Sequence, residues 1–210
     1  MQYVSSVIWT KIQAKVAYTT LCRYVWLNQT NSIRLMTLAT ARPDVLGAIQ
    51  HITDWFNSPG LADAWTRPQG EKWTIEQEVA HLLRSTYGLV QLYGEPARVN
   101  WRPTDRPSRS YDEIVAQYNA GLEQLPPTTN AAIRETQPKS LVEQNTAWHQ
   151  TLAAVEALLP TLSDMDLTGN TVWKHPILGP VTGLEMLFFT THHTYHHLAS
   201  LKRKQGNDER

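Results

Sequence analysis

Four short patterns constrain this chain more than anything else in it. In each, a hydroxyl residue is followed three positions later by Glu or Gln and then by a run with helical apolar spacing. They are Thr74-Ile75-Glu76-Gln77, Ser110-Tyr111-Asp112-Glu113, Ser140-Leu141-Val142-Glu143 and Thr182-Gly183-Leu184-Glu185. In such a capping box the hydroxyl accepts from a free N–H of the first helical turn, and the longer side chain reaches back to the cap. One pattern arises by chance; four, each opening an amphipathic run, describe a helical chain. Stop signals follow in register: Ser58-Pro59-Gly60, Gly94 with Pro96, Pro126-Pro127 and Pro160. With Pro43 suited to a first turn, helices are expected at about 43–57, 74–93, 110–125, 139–159 and 182–204.

The connections between these helices are long. Residues 94–110 are rich in Pro and Arg without apolar periodicity, and 161–181 contain His175-Pro176 and Gly179-Pro180. No strand-like alternation persists beyond a few residues, apart from room for short pairings in the second connection or near the N-terminus. The expected fold class is all-α, an antiparallel helical bundle with long crossovers.

At 210 residues the chain suits one domain with a real core, and its 19 basic and 19 acidic residues cancel. Nothing in that balance points to nucleic acid or an anionic membrane as partner. Cys22 is the sole cysteine, which excludes an internal disulfide framework and a cysteine-based zinc cluster. Any metal must therefore rest on histidine and carboxylate.

The first 35 residues differ from the rest. No Asp or Glu precedes Asp44, whereas Lys11, Lys15, Arg23, Arg34 and Arg42 are basic. The apolar run is broken at Thr10, Lys11, Lys15, Thr19 and Arg23, too short and polar to span a bilayer and without a secretory cleavage pattern. An acid-poor basic leader of this kind resembles an organelle transit peptide, and an ordered accessory segment is a further alternative. The simplest reading is an atypical extension over 1–35 with Met36 as the natural start, followed by a bundle domain over 36–210. The expected compartment is the cytoplasm.

The candidate chemistry lies in Thr191-His192-His193-Thr194-Tyr195-His196-His197. Residues four apart share a helix face, so His192/His196 and His193/His197 are two imidazole pairs, either of which could share one ion. A pair alone binds weakly, and His81 on another helix is the best third ligand. Periodicity does not decide which pair faces inward. The other pair could orient ligands, act as bases, or form a solvated edge. His51, His149 and His175 are single and read as packing, loop hydrogen bonding or solvent-facing residues. Glu78-Val79-Ala80-His81 is half of a di-iron carboxylate pattern, but the second Glu-x-x-His is missing, as is a His-Glu-x-x-His helix. A mononuclear three-histidine centre fits better. Glu76, Gln77 and Glu78 read as first-turn residues, the carboxylates favoured there by the helix dipole.

From about residue 40 onward the chain resembles the DinB-like (DinB/YfiT) superfamily of metal-binding proteins. The resemblance rests on Trp73-Thr74-x-x-Gln77-x-x-x-His81-Leu82 and on His175-Pro176-x-x-Gly179-x-x-Thr182-x-x-Glu185-x-x-x-Phe189-x-x-x-His193-x-x-His196-His197-Leu198. It implies a four-helix bundle of the DinB/YfiT type with long crossover loops and an additional short helix. It also implies metal ligation by His81, His193 and His197, the spacing from Glu185 and Phe189 selecting His193/His197. Many members carry Gln three residues after the last ligand, where this chain has Ser200. Residues 94–138 match nothing specific.

Members of the superfamily include thiol-dependent transferases and isomerases, and proteins described as metal-dependent hydrolases. The resemblance therefore implies a metal-dependent enzyme that transfers a low-molecular-weight thiol, its cosubstrate, to an electrophilic small molecule. Zinc is the expected ion, with nickel or iron as alternatives. Hydrolysis by metal-activated water, or a non-enzymatic association bundle, are the competing readings. Tyr195, His192 and His196 are candidate proton-transfer or orienting groups, and a homodimer is compatible with the family.

Overall fold

A computed structural model describes residues 36–70, 72–124 and 139–206. The expected extension over 1–35 and the Pro126-Pro127 stop lie outside these residues. In chain order the elements are helices α1 (Leu38–Trp55), α2 (Leu61–Ala64), α3 (Ile75–Tyr93) and α4 (Glu95–Arg98), strand β1 (Arg102–Pro103), and helices α5 (Tyr111–Leu122) and α6 (Leu141–Leu158). A 3-10 turn (Leu159–Thr161), α7 (Asp164–Thr168), β2 (Asn170–His175), β3 (Gly179–Thr182) and α8 (Gly183–Gln205) complete the chain.

All four capping boxes form as read, at Thr74, Ser110, Ser140 and Thr182. Two more were not foreseen, Thr37 with Thr40 and Ser163 with Asp166, because neither carries Glu or Gln at the third position. The first of these corrects the expected start of α1. Pro43 lies inside that helix rather than in its first turn, and the cap is Thr37.

α1, α3, α6 and α8 form the bundle. Lys204 meets Glu78 and the Tyr93 hydroxyl donates to the Gly183 carbonyl, so α3 and α8 run antiparallel. Gln144 donates to the Glu76 carbonyl at 3.1 Å, first turn against first turn, so α3 and α6 run parallel. His51 reaches Tyr195 and Trp55 reaches Gln205, which makes α1 parallel to α8. The expected antiparallel packing holds for α3 against α8, whereas α3 with α6 and α1 with α8 run parallel. A long connection between α3 and α6 is what permits two consecutive long helices to point the same way.

The two long connections carry structure of their own. β1, β2 and β3 make a small antiparallel sheet in that order, with Arg102 opposite Thr171 and His175 opposite Gly179. Gly179 turns the hairpin at φ 68°, a conformation that favours glycine. α4 and β1 fall within 94–110, where a loop was expected. The fold is mostly α with this sheet at its edge.

α8 is the central element: every residue from Gly183 to Thr194 is buried. Trp148, Tyr93, Ile49, Leu82, Leu89 and Ile114 are among the fully buried side chains around it. Each large apolar side chain so buried contributes about 1.5–3 kcal/mol. Trp148 still places its indole N–H, which donates to the Ile49 carbonyl at 3.1 Å.

A latch seats α5 against α8. The Glu185 side chain is fully buried and accepts from Arg106 at 2.6 and 2.9 Å and from Arg109 at 2.8 Å. Backbone N–H groups of Arg109 and Thr182 add 2.6 and 3.0 Å contacts. Ser110, the cap of α5, follows Arg109 directly. The latch thereby carries Tyr111 and Tyr118 onto the face of α8 bearing Phe188, Phe189, His192 and His193. At the other end of α5, Gly121 lies so close to Ile177 that a Cβ would sit 2.1 Å from its Cγ2.

Candidate metal centre

His81 sits in the second turn of α3, and His193 and His197 lie one turn apart on α8. The antiparallel pairing of these helices brings the three rings together. His193 Nε2 is 3.2 Å from His81 Nε2 and 3.1 Å from His197 Nε2. All three donor atoms fall within 4.8 Å of one another, and this trio is the group able to hold an ion among the described residues. Tetrahedral zinc with bonds of 2.0–2.1 Å spaces its nitrogens about 3.3 Å apart, so the observed separations need little adjustment.

The electrostatics favour neutral rings at His81 and His193. Burial, reinforced by the charge of His197, pushes His81 down to about 3. Burial and the surrounding imidazoles push His193 well below its ordinary value. A neutral imidazole offers one lone pair, and the hydrogen bond at its other nitrogen decides which atom carries it. His197 Nδ1 lies 2.7 Å from Glu78 Oε1, and because a carboxylate accepts, Nδ1 carries a proton there. Ser85, one turn after His81, lies 3.4 Å from His193 Nδ1 and can accept there. The donor set fits a divalent transition metal.

Glu78 corrects the reading of it as an ordinary first-turn residue. It is 3% exposed and accepts from His197, from Ser200 Oγ at 3.1 Å and from Lys204 Nζ. Burial works to raise its carboxyl, yet the hydrogen bonds and charges of His197 and Lys204 overcome this and hold it at about 2. The missed signal was positional. Glu78 falls among Ile75, Val79 and Leu82 on the buried face of α3, where an unpaired carboxylate would be costly.

The remaining candidates are distributed around α8. His192 is buried between Tyr111 and Tyr118, at ring separations of 6.4 and 6.0 Å, and its Nε2 has no hydrogen-bond partner among the described residues. The His196 ring lies 5.3 Å from His197 and 6.3 Å from His192. Burial pushes both down to about 4. Tyr195 points away from the trio, its hydroxyl 3.1 Å from His51 Nδ1 on α1. His175 is a loop-anchoring residue whose Nδ1 accepts from the N–H groups of Ile177 and Leu178 at 3.0 and 3.1 Å. Its ring also packs 4.5 Å from Phe189, which stacks on His193. Trp73 packs 5.3 Å from His81.

A surface groove of about 460 Å³ opens elsewhere, lined by Val90, Arg98, Ala157 and Leu158 among others, and none of the histidines lines it. Donor geometry, not concavity, identifies the site. No helix among the described residues is long and apolar enough to cross a membrane. No curated protein and no solved structure matches the chain. The sequence pattern of the DinB superfamily, however, matches residues 48–201, a span that contains all three converging histidines. With the bundle and the trio in agreement with that match, the chain belongs to the DinB superfamily.

Proposed function

We propose that this chain is a metal-dependent enzyme that binds one divalent transition metal, zinc in preference to nickel or iron, through His81, His193 and His197, and transfers a low-molecular-weight thiol to an electrophilic small molecule. The observation that carries this reading is the convergence of three imidazole nitrogens with no fourth protein donor in the group among the described residues. Structural zinc sites usually have four protein ligands, whereas reactive ones keep a position for water or substrate. When bound, the cation supplies Lewis acidity and stabilises an anionic nucleophile such as a thiolate.

The protein's own residues set the conditions for that chemistry. Three neutral ligands leave the positive charge of a dication in place, and Glu78 is already balanced by Lys204. An anion is therefore the favoured fourth partner. Phe189, stacked 5.1 Å from His193, and Trp73 beside His81 supply apolar walls that limit water. His192 and His196 are the groups we assign to proton movement. Tyr195, whose hydroxyl is engaged with His51, we assign to orienting α8 against α1. Thiol transfer is preferred over hydrolysis by analogy with the superfamily. A homodimer acting on small molecules in the cytoplasm completes the reading.

The test is anaerobic purification followed by elemental analysis and assay of a model electrophile against a panel of small thiols, with hydrolysable esters alongside. One equivalent of metal and metal-dependent thiol conjugation are expected. Ester hydrolysis without thiol conjugation would replace the transferase with a hydrolase. Full metal loading without turnover on either panel would replace the enzyme with a metal-binding association bundle.

A further inference from the structure

We infer that Glu78, pinned by Lys204 and Ser200, is a positioning residue that fixes the tautomer of His197 and so prepares the three-nitrogen centre before any ion arrives. This rests on reading the trio as a metal centre.

Three observations carry it. The first is the 2.7 Å contact between Glu78 Oε1 and His197 Nδ1. An ionised carboxylate only accepts, so in the neutral imidazole the proton sits on Nδ1, and Nε2 is left to point its lone pair at the other two rings. The second is the way the carboxylate is held. Its other oxygen accepts from Ser200 Oγ at 3.1 Å and from Lys204 Nζ, and that same ammonium donates to the Trp73 carbonyl at 2.8 Å. Glu78 thus has partners at both oxygens and is not free to rotate.

The third is placement along the helices. Glu78 lies in the first turn of α3 and Lys204 in the last turn of α8. The two dipoles favour each charge where it stands, and the antiparallel packing sets the charges side by side. Ser200 stands where the resemblance leads one to expect Gln, and its short hydroxyl leaves room for Lys204 on the same oxygen. Glu78-x-x-His81 is therefore a ligand on one helix together with the partner of a ligand on another.

The experiment uses full-length, histidine-labelled protein. Long-range proton–nitrogen correlation spectra of the metal-free form read the His197 tautomer directly, and competition against a chelator reads zinc affinity. Wild type is expected to hold His197 as the Nδ1–H form. The double variant Glu78→Leu/Lys204→Met removes both buried charges together, a change that proteins generally tolerate. It should lose the single tautomer and bind zinc about 10–100-fold more weakly. Glu78→Gln, which keeps an acceptor at the same place, should recover part of both losses. A double variant that keeps the Nδ1–H form, or that binds zinc within about twofold of wild type, overturns the inference. Wild type with the fixed tautomer but without zinc binding would support the positioning role while overturning the metal reading.

Discussion

Two buried carboxylates on the inner helices look alike and do different work. Glu185 accepts from two guanidinium groups and two backbone N–H groups, and Glu78 from an ammonium, a hydroxyl and an imidazole. For each, burial works to raise the carboxyl, and the donors overcome it and hold the group at about 2. The difference lies one bond further out. The partners of Glu185 end in the loop and hairpin they fasten, with Arg109 also holding the Leu178 and Pro180 carbonyls. One partner of Glu78 is an imidazole whose far nitrogen meets two more imidazoles. A buried ion pair alone therefore says little about function; what its partners face on the other side decides.

The comparison breaks most visibly at the ligands. His81→Ala or His197→Ala should abolish stoichiometric metal binding, because each leaves two ligands, while the latch at Glu185 stays closed. Elemental analysis after desalting checks this, and normal metal content in either variant refutes the assignment.

Acid should separate the two regions next. Unfolded imidazoles take up protons from about 6.5 downward, whereas burial holds His81 at about 3 and His175, His192 and His196 at about 4 in the folded chain. The unfolded state binds more protons in that window, so stability of the metal-free protein falls as pH drops from about 6.5 toward 4, by up to about 1.4 kcal/mol per ring per pH unit. Glu78 and Glu185, lowered from 4.5 to about 2, withdraw their contributions only below about 4.5. Urea denaturation across pH reads both phases, and a profile flat between pH 7 and 5 would count against buried neutral imidazoles.

Glu185→Ala should destabilise the fold by about 2–4 kcal/mol, since it strands two guanidinium groups and two backbone donors. The arginines are partly exposed and recover some hydration, which keeps the loss below that of a fully buried pair. Zinc affinity measured on the folded fraction should change far less than in the ligand variants. A collapse of metal binding with no loss of stability would reverse the roles given to the two carboxylates.

Gly121→Ala gives the smallest effect. The added methyl would press on Ile177 and shift α5 or the hairpin turn, costing about 1–2 kcal/mol. Thermal melts should register it, and an unchanged melting temperature would show that the contact between α5 and the hairpin is loose.

Much of this arrangement was legible beforehand, for stated reasons. Capping boxes are local, so Thr74, Ser110, Ser140 and Thr182 marked helix starts that tertiary packing did not alter. Helix α1 was harder because Pro43 mimics an N-terminal signal and the true cap at Thr37 uses Thr40 in place of an acid. The second connection was given room for short pairings, but the hairpin there could not be located because strands of four and six residues, partly exposed, show little periodicity. The choice of His193/His197 to converge with His81 was accessible only through the resemblance, since two overlapping histidine pairs have equal helical spacing. Glu78 was lost to a bland local explanation, when its neighbours Ile75, Val79 and Leu82 already marked that face as interior.

The parallel course of α3 and α6 carries a consequence for how the molecule matures. His81 and His193 are 112 positions apart, and α8 must slot in beside a partner synthesised long before it. Contacts of such sequence separation form late, after the entropic cost of closing a large loop has been met. An ion held by the full trio would thus be a timestamp: it would report that α8 has found its berth beside α3.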